Sequence, residues 1–114
     1  MYLKHNENFF LALLEWIDGN LEKKISIDEI ARKAGYSKWY LQRSFTEYYG
    51  VSLGGYIRKR RLDEAAIKLR NSDMSTLDIA LLYKWDSQQT FTRSFKNQFG
   101  IPPVQWKKSH QLKK

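Results

Sequence analysis

Two sets of side chains in this sequence have the types and spacing to do chemistry. The first is Trp39, Gln42 and Arg43; the second is Gln88, Gln89, Thr90 and Arg93. A guanidinium offers a fork of N–H donors that matches guanine O6 and N7, and a carboxamide pairs a donor and an acceptor against adenine N6 and N7. Trp39, Thr90 and Thr92 offer apolar atoms to a thymine methyl. A serine stands ahead of each set, Ser37 and Ser87. At a helix start these serines, with the free backbone N–H groups beside them, suit phosphate oxygens. Both sets are thus equipped for the edges and backbone of a nucleic acid duplex.

Such side chains must be held on one helical face. From Ser37, at about 100° per residue, Leu41, Phe45 and Tyr48 point to one side while Trp39, Gln42, Arg43 and Thr46 point to the other. The first set is expected in the core. An outward tryptophan is unusual on an ordinary surface helix, and partial burial against Tyr36 is the plainer alternative. From Asp86 or Ser87 a second helix places Phe91, Phe95 and Phe99 at i, i+4, i+8, with Gln89, Thr92, Arg93 and Lys96 opposite. Gly50 and Gly100 close the two helices.

A short helix precedes each of these. Ser26 and Glu29 form a capping-box pattern before Ile27–Ala34, with Ile27, Ile30 and Ala31 inward and Gly35 supplying the left-handed turn. Ser75 caps Thr76–Leu82, which ends in a turn at Lys84, Trp85 and Asp86. The longer helices match at an offset of 50 residues: Ser37 with Ser87, Arg43 with Arg93, Ser44 with Ser94, Phe45 with Phe95, Gly50 with Gly100. The short helices match one residue out of step, Ile30 and Ala31 with Ile79 and Ala80, so the second turn is one residue longer. A short helix, a tight turn and a longer helix with a polar outer face is the pattern of a helix-turn-helix.

Three further helices complete an all-α reading of about seven. The first is expected to start after an Asn6 cap and to run through Phe10, Leu13, Leu14 and Ile17 to Gly19 or Asn20. A linking helix covers Leu53 to Leu69, with Leu62, Ala65, Ala66 and Leu69 on one face and Tyr56, Ile57 and Ile67 among its apolar residues. Pro102 and Pro103 open a last short helix through Trp106, followed by a frayed basic end over 109–114. The expected organisation is 1–51 as a first helix-turn-helix subdomain, 52–70 as the linker helix and 71–114 as a second subdomain with a basic tail. The helix from Leu53 to Leu69, about 17 residues, measures about 25 Å. Adjacent major grooves on one side of B-DNA lie ~34 Å apart, so one chain could address both, and a shorter separation would require bent DNA.

Composition agrees. The formal net charge is +8, which favours a densely anionic partner, either nucleic acid or an anionic membrane surface. The chain has no cysteine, which excludes disulfides and thiolate metal sites, and no apolar run long enough for a membrane span. The start of the chain lacks the pattern of a secretory signal. Catalytic chemistry finds no support. The two histidines, His5 and His110, lie near the chain ends, there is no glycine-rich phosphate loop, and Asp28-Glu29 and Asp63-Glu64 fit helix-start charge and ion pairing one turn away. No catalytic residue, metal or cofactor is expected.

The segments Gly35-Tyr-Ser-Lys-Trp-Tyr-Leu-Gln-Arg-Ser-Phe45 and Asp86-Ser-Gln-Gln-Thr-Phe-Thr-Arg-Ser-Phe95 resemble the two recognition segments of the AraC/XylS family of bacterial transcription regulators, in particular its small MarA, SoxS, Rob and RamA group. Glu15-Trp-Ile-Asp18, Tyr56-Ile-Arg58 and Phe99-Gly-Ile-Pro-Pro103 also fit, and the resemblance runs from about Phe9 to Lys107. It implies a cytoplasmic bacterial activator that reads double-stranded promoter DNA as a monomer through two adjacent major grooves and contacts RNA polymerase. It implies a role at stress and multidrug-resistance promoters. Carried over residue by residue, Trp39, Gln42 and Arg43, then Gln88, Gln89, Thr90 and Arg93, are the base readers, and Lys38, Arg58, Thr92 and Lys96 are phosphate contacts. A chain of this length is expected to lack a small-molecule effector domain, so that activity follows the amount of protein.

Two positions depart from the family pattern. Lys84 stands where the family usually has glycine, and Trp85 where phenylalanine is common. A positive φ at Lys84 would cost about 1 kcal/mol. Trp106-Lys107 replaces a frequent tyrosine-arginine, and lysine lacks the bidentate fork. Two other functions remain open on the sequence. One is a non-specific architectural DNA-binding protein, which needs the charge but not the Gln/Arg faces. The other is a basic membrane or protein-interaction module.

Overall fold

The computed structural model describes residues 2–110, and every element among them is helical: α1 (Tyr2–Asp18), α2 (Ile27–Ala34), α3 (Lys38–Tyr49), α4 (Leu53–Asn71), α5 (Thr76–Leu82), α6 (Gln88–Phe99) and α7 (Pro103–His110). The chain divides into two compact units, Met1–Arg58 and Lys59–Lys114, and the division falls inside α4.

In the first unit, α1, α2, α3 and the start of α4 surround a core of Phe10, Leu13, Ile17, Leu21, Ala31, Leu41, Phe45, Leu53 and Ile57. Phe10 meets Phe45 edge-on with centroids 5.8 Å apart, and Phe45 packs on Tyr49 at 4.8 Å. Aromatic pairs at these separations add to the burial of their own area. The Tyr49 hydroxyl is buried without a hydrogen-bond partner, and burial, with the Glu7 carboxylate second, raises its pKa above the usual tyrosine value. Ser52 starts α4 by accepting a hydrogen bond from the Gly55 N–H at 2.9 Å.

The second unit buries Leu62, Ala65, Ala66 and Leu69 of α4 against Ile79, Ala80, Tyr83, Phe91, Phe95 and Pro103. Phe95 lies 4.5 Å from Phe99 and 5.9 Å from Trp106 by ring centroid. The Trp106 indole N–H donates to the Ala66 carbonyl at 3.2 Å, fixing α7 to α4. Asp63 and Glu64 pair as their spacing suggests: Lys59 Nζ and Arg60 Nη1 reach Asp63 at 3.0 and 3.2 Å, and Arg60 Nη2 reaches Glu64 at 3.2 Å. Gln98 of α6 donates to Asp63 at 2.7 Å, so this carboxylate also ties α6 to α4.

Three details differ from the sequence reading. Helix α1 already starts at Tyr2, so Asn6 lies within it rather than capping it. Asparagine is a weak helix former but not a breaker, and no proline or glycine precedes Gly19. Tyr48, assigned to the core, is 40% exposed, and the adjacent Tyr49 turns inward beside Phe10 and Phe45 instead. Finally, α7 continues past Trp106 to His110, whose ring stacks on Trp106 at 3.6 Å, with its Nδ1 3.0 Å from the Trp106 carbonyl oxygen. The frayed end expected from residue 109 is therefore helical at Ser109 and His110, and its residues 111–114 lie outside the described residues.

Candidate nucleic-acid interface

Helix α2 begins at its Ser26 cap, whose hydroxyl oxygen accepts from the Glu29 N–H at 3.2 Å. It ends at Gly35, φ 80°, where the Gly35 N–H donates to the Arg32 carbonyl at 3.2 Å and the Tyr36 N–H to the Ala31 carbonyl at 2.9 Å. This left-handed turn delivers the chain to Ser37, whose hydroxyl accepts from the Tyr40 N–H at 3.0 Å and starts α3. Leu41 and Phe45 anchor α3 from beneath with no exposed area, which leaves Trp39, Gln42, Arg43 and Thr46 facing solvent.

Trp39 is 64% exposed, so partial burial does not account for it. Its ring carries the Arg43 guanidinium at 5.1 Å from the centroid, within cation–π range. Arg43 Nε also donates to Glu47 Oε2 at 3.1 Å. The guanidinium is thus held from its Nε side and on one flat face, while its terminal Nη groups, the ends of the fork, make no hydrogen bond with the described residues. Lys38 Nζ lies 3.5 Å from Asp28 of α2, a pair exposed on both sides and weak in water.

The second unit repeats the construction. The Ser75 hydroxyl accepts from the Asp78 N–H at 3.0 Å and starts α5. Its exit copies that of α2: the Lys84 N–H donates to the Leu81 carbonyl at 3.0 Å, and the Trp85 N–H to the Ala80 carbonyl at 2.9 Å. Here the left-handed residue is Lys84, φ 73°, the positive φ that the sequence comparison made conditional. Asp86 is the additional residue of this turn, and Ser87 then caps α6 by accepting from the Thr90 N–H at 3.2 Å.

Phe91 and Phe95 fix α6 from beneath with no exposed area. On its outer side Gln88, Gln89, Thr92 and Arg93 line one shallow concavity. Arg93 is exposed and, unlike Arg43, makes no ion pair with the described residues. Thr90 is exposed, but its hydroxyl belongs to the cap, donating to the Ser87 carbonyl at 3.0 Å and lying 3.0 Å from the Ser87 hydroxyl. Its methyl is the part left for a base. Lys96 is exposed one turn beyond Arg93.

Ser37, Lys38, Trp39, Gln42 and Arg43 therefore gather on α3 and its cap, and Ser87, Gln88, Gln89, Thr90, Thr92, Arg93 and Lys96 gather on α6 and its cap. Arg58 is exposed on α4 and belongs to neither face. Sequence reasoning missed Glu47 as the partner of Arg43, although the four-residue spacing was there to be read. No group of three or more His, Cys, Asp or Glu side chains among the described residues could hold a metal ion. No described helix is long and apolar enough to cross a membrane.

A family model described as a helix-turn-helix domain matches residues 30–109, which span both units from within α2 to within α7. The chain belongs to the AraC/XylS helix-turn-helix family. The right origin-binding protein of Escherichia coli K12 is 52% identical over 97 residues, 85% of this chain and 34% of that protein. The chain thus spans about a third of the length of such relatives. The transcriptional activator AarP of Providencia stuartii is 50% identical over 91 residues, 80% of this chain and 67% of AarP. Among solved structures, an AraC-type transcriptional regulator from Chromobacterium violaceum superposes with a TM-score of 0.78 at 28% identity, covering 85% of this chain and 87% of that one.

Proposed function

We propose that this chain is a sequence-specific transcriptional activator that reads duplex promoter DNA with α3 and α6, each in a major groove. The observation that carries this reading is the repeated face of exposed amides and guanidinium, Gln42 with Arg43 and Gln88, Gln89 with Arg93, each on a helix anchored from beneath by buried aromatic or aliphatic side chains. A rigid helix presenting such groups suits base edges, whereas a surface that binds only by charge has no use for amides. The +8 net charge supplies the sequence-independent part of the affinity.

Arg43, Gln42 and Trp39 read the first block of the site, and Arg93, Gln88, Gln89 and the Thr90 methyl read the second. Ser37, Lys38, Arg58, Ser87, Thr92 and Lys96 hold the phosphates and set the register. One copy of the chain suffices, since each unit carries its own recognition helix. Activation follows from contact with RNA polymerase once the chain is seated, in line with AarP, which is named an activator. The resemblance to the MarA group points to stress and antibiotic-resistance promoters, in the bacterial cytoplasm.

Run-off transcription with purified polymerase tests this reading. On a promoter bearing the preferred site, the chain should raise transcript yield, and Arg93→Ala should abolish the increase at the same protein concentration. DNA binding with no difference between promoters with and without the site would contradict it and leave a charge-driven architectural protein.

A further inference from the structure

We infer that Lys84 is an additional phosphate contact of the second helix-turn-helix, held in a strained backbone conformation by the turn that carries it. This rests on the DNA-binding reading above. Among the described residues Lys84 is the one non-glycine with positive φ, 73°. The equivalent position of the first unit is Gly35, φ 80°, and the two turns make the same pair of hydrogen bonds to the preceding helix. The fold therefore demands the left-handed conformation at both places, and glycine meets that demand without cost.

A side chain at Gly35 would meet no atom within 4 Å, so this kind of turn neither needs nor excludes a Cβ. Lys84 is exposed, its side chain makes no hydrogen bond or ion pair with a described residue, and Asp86, the nearest carboxylate in sequence, does not pair with it. Strained conformations persist when the surrounding structure imposes them, and they cluster where a side chain meets a ligand. The turn stands between α5 and the recognition helix, three residues before the Ser87 cap, and so beside the end of α6 that enters the groove between two phosphate strands on this reading. A lysine suits that place, because an ammonium on a long stem neutralises a phosphate without needing a fixed fork. The first unit, with glycine, lacks this contact, so the second half of the site is held by one more charge.

Two substitutions separate backbone from charge. Lys84→Gly removes both the strain and the ammonium, and Lys84→Gln removes the ammonium alone. Affinity for a selected duplex, measured across a salt series, and thermal melting are the readouts. Lys84→Gly should raise Tm by about 4 °C and reduce the slope of log K against log salt by ~0.9. Lys84→Gln should reduce the slope equally with Tm unchanged, and neither should alter the preferred sequence. Wild-type slopes in both variants would overturn the inference and make Lys84 a solvated surface charge. A wild-type chain that shows no binding to duplex DNA would instead overturn the reading on which the inference rests.

Discussion

Removing Glu47 should blunt the first recognition helix rather than sharpen it. A carboxylate on a DNA-facing helix repels phosphates, and on charge alone Glu47→Ala ought to improve binding. The geometry opposes this at one base. Glu47 takes the Nε–H of Arg43 at 3.1 Å and Trp39 supports the guanidinium at 5.1 Å, which leaves the terminal Nη groups outward. Arg43 is thereby prepared for an end-on contact with guanine, and part of the entropy of ordering it is lost before binding. The pair is exposed, with side chains 59% and 65% accessible, so its worth is only the ~0.3–0.5 kcal/mol of an i,i+4 pair in water. At 1.4 kcal/mol per tenfold, that is about a twofold change. The quantity to measure is a ratio, the affinity for a site with the guanine read by Arg43 over the affinity for the same site with that base changed. Repulsion from phosphates acts on both duplexes and cancels. Glu47→Ala should lower the ratio about twofold while raising affinity for unrelated DNA, and in an Arg43→Ala background it should leave the ratio unmoved. An unchanged ratio in Glu47→Ala would refute the reasoning, and a higher one would refute it and show that the carboxylate competes with the base.

Other perturbations bear on the remaining parts. Arg93→Ala should cost about 1–3 kcal/mol on a cognate duplex and relax the preference at one position; equal weakening on all sequences would make Arg93 a phosphate contact. Lys38→Ala should lower the salt slope by about one unit with base preference kept, and an unchanged slope would remove Lys38 from the phosphate set. Ser87→Ala deprives the Thr90 N–H of its acceptor while the Thr90 hydroxyl keeps the residue 87 backbone carbonyl, so it should cost about 1 kcal/mol of stability in thermal melting; a loss below a few tenths would mean that the remaining cap bonds suffice.

Most of the architecture was legible because its signals are local. Ser26, Ser37, Ser75 and Ser87 cap their helices as the sequence suggests, and Gly35, Gly50 and Gly100 take the left-handed conformation that closes α2, α3 and α6. The outer faces followed from the placement of Leu41, Phe45, Phe91 and Phe95, since what a helix buries fixes what it exposes. The misses have physical causes. The start of α1 was placed late because a capping residue is also tolerated inside a helix. Tyr48 and Tyr49 are neighbours near the edge of the buried stripe, where 100° of rotation decides burial and periodicity alone does not. The end of α7 depends on the stacking of His110 on Trp106, a contact that terminal charge and composition do not announce. The partners of Arg43 were within reach of spacing rules, but the choice of Glu47 and Trp39, and the contrast with Arg93, which makes no ion pair among the described residues, required coordinates.

Selection from a random duplex pool at near-physiological salt, followed by sequencing, tests the central claim most directly. Two recognition helices on one chain predict an enriched asymmetric motif with two conserved blocks about one helical turn apart, the block preferences weakening separately in Arg43→Ala and Arg93→Ala. A pool that is retained by the protein but shows no enriched sequence would contradict base reading by α3 and α6.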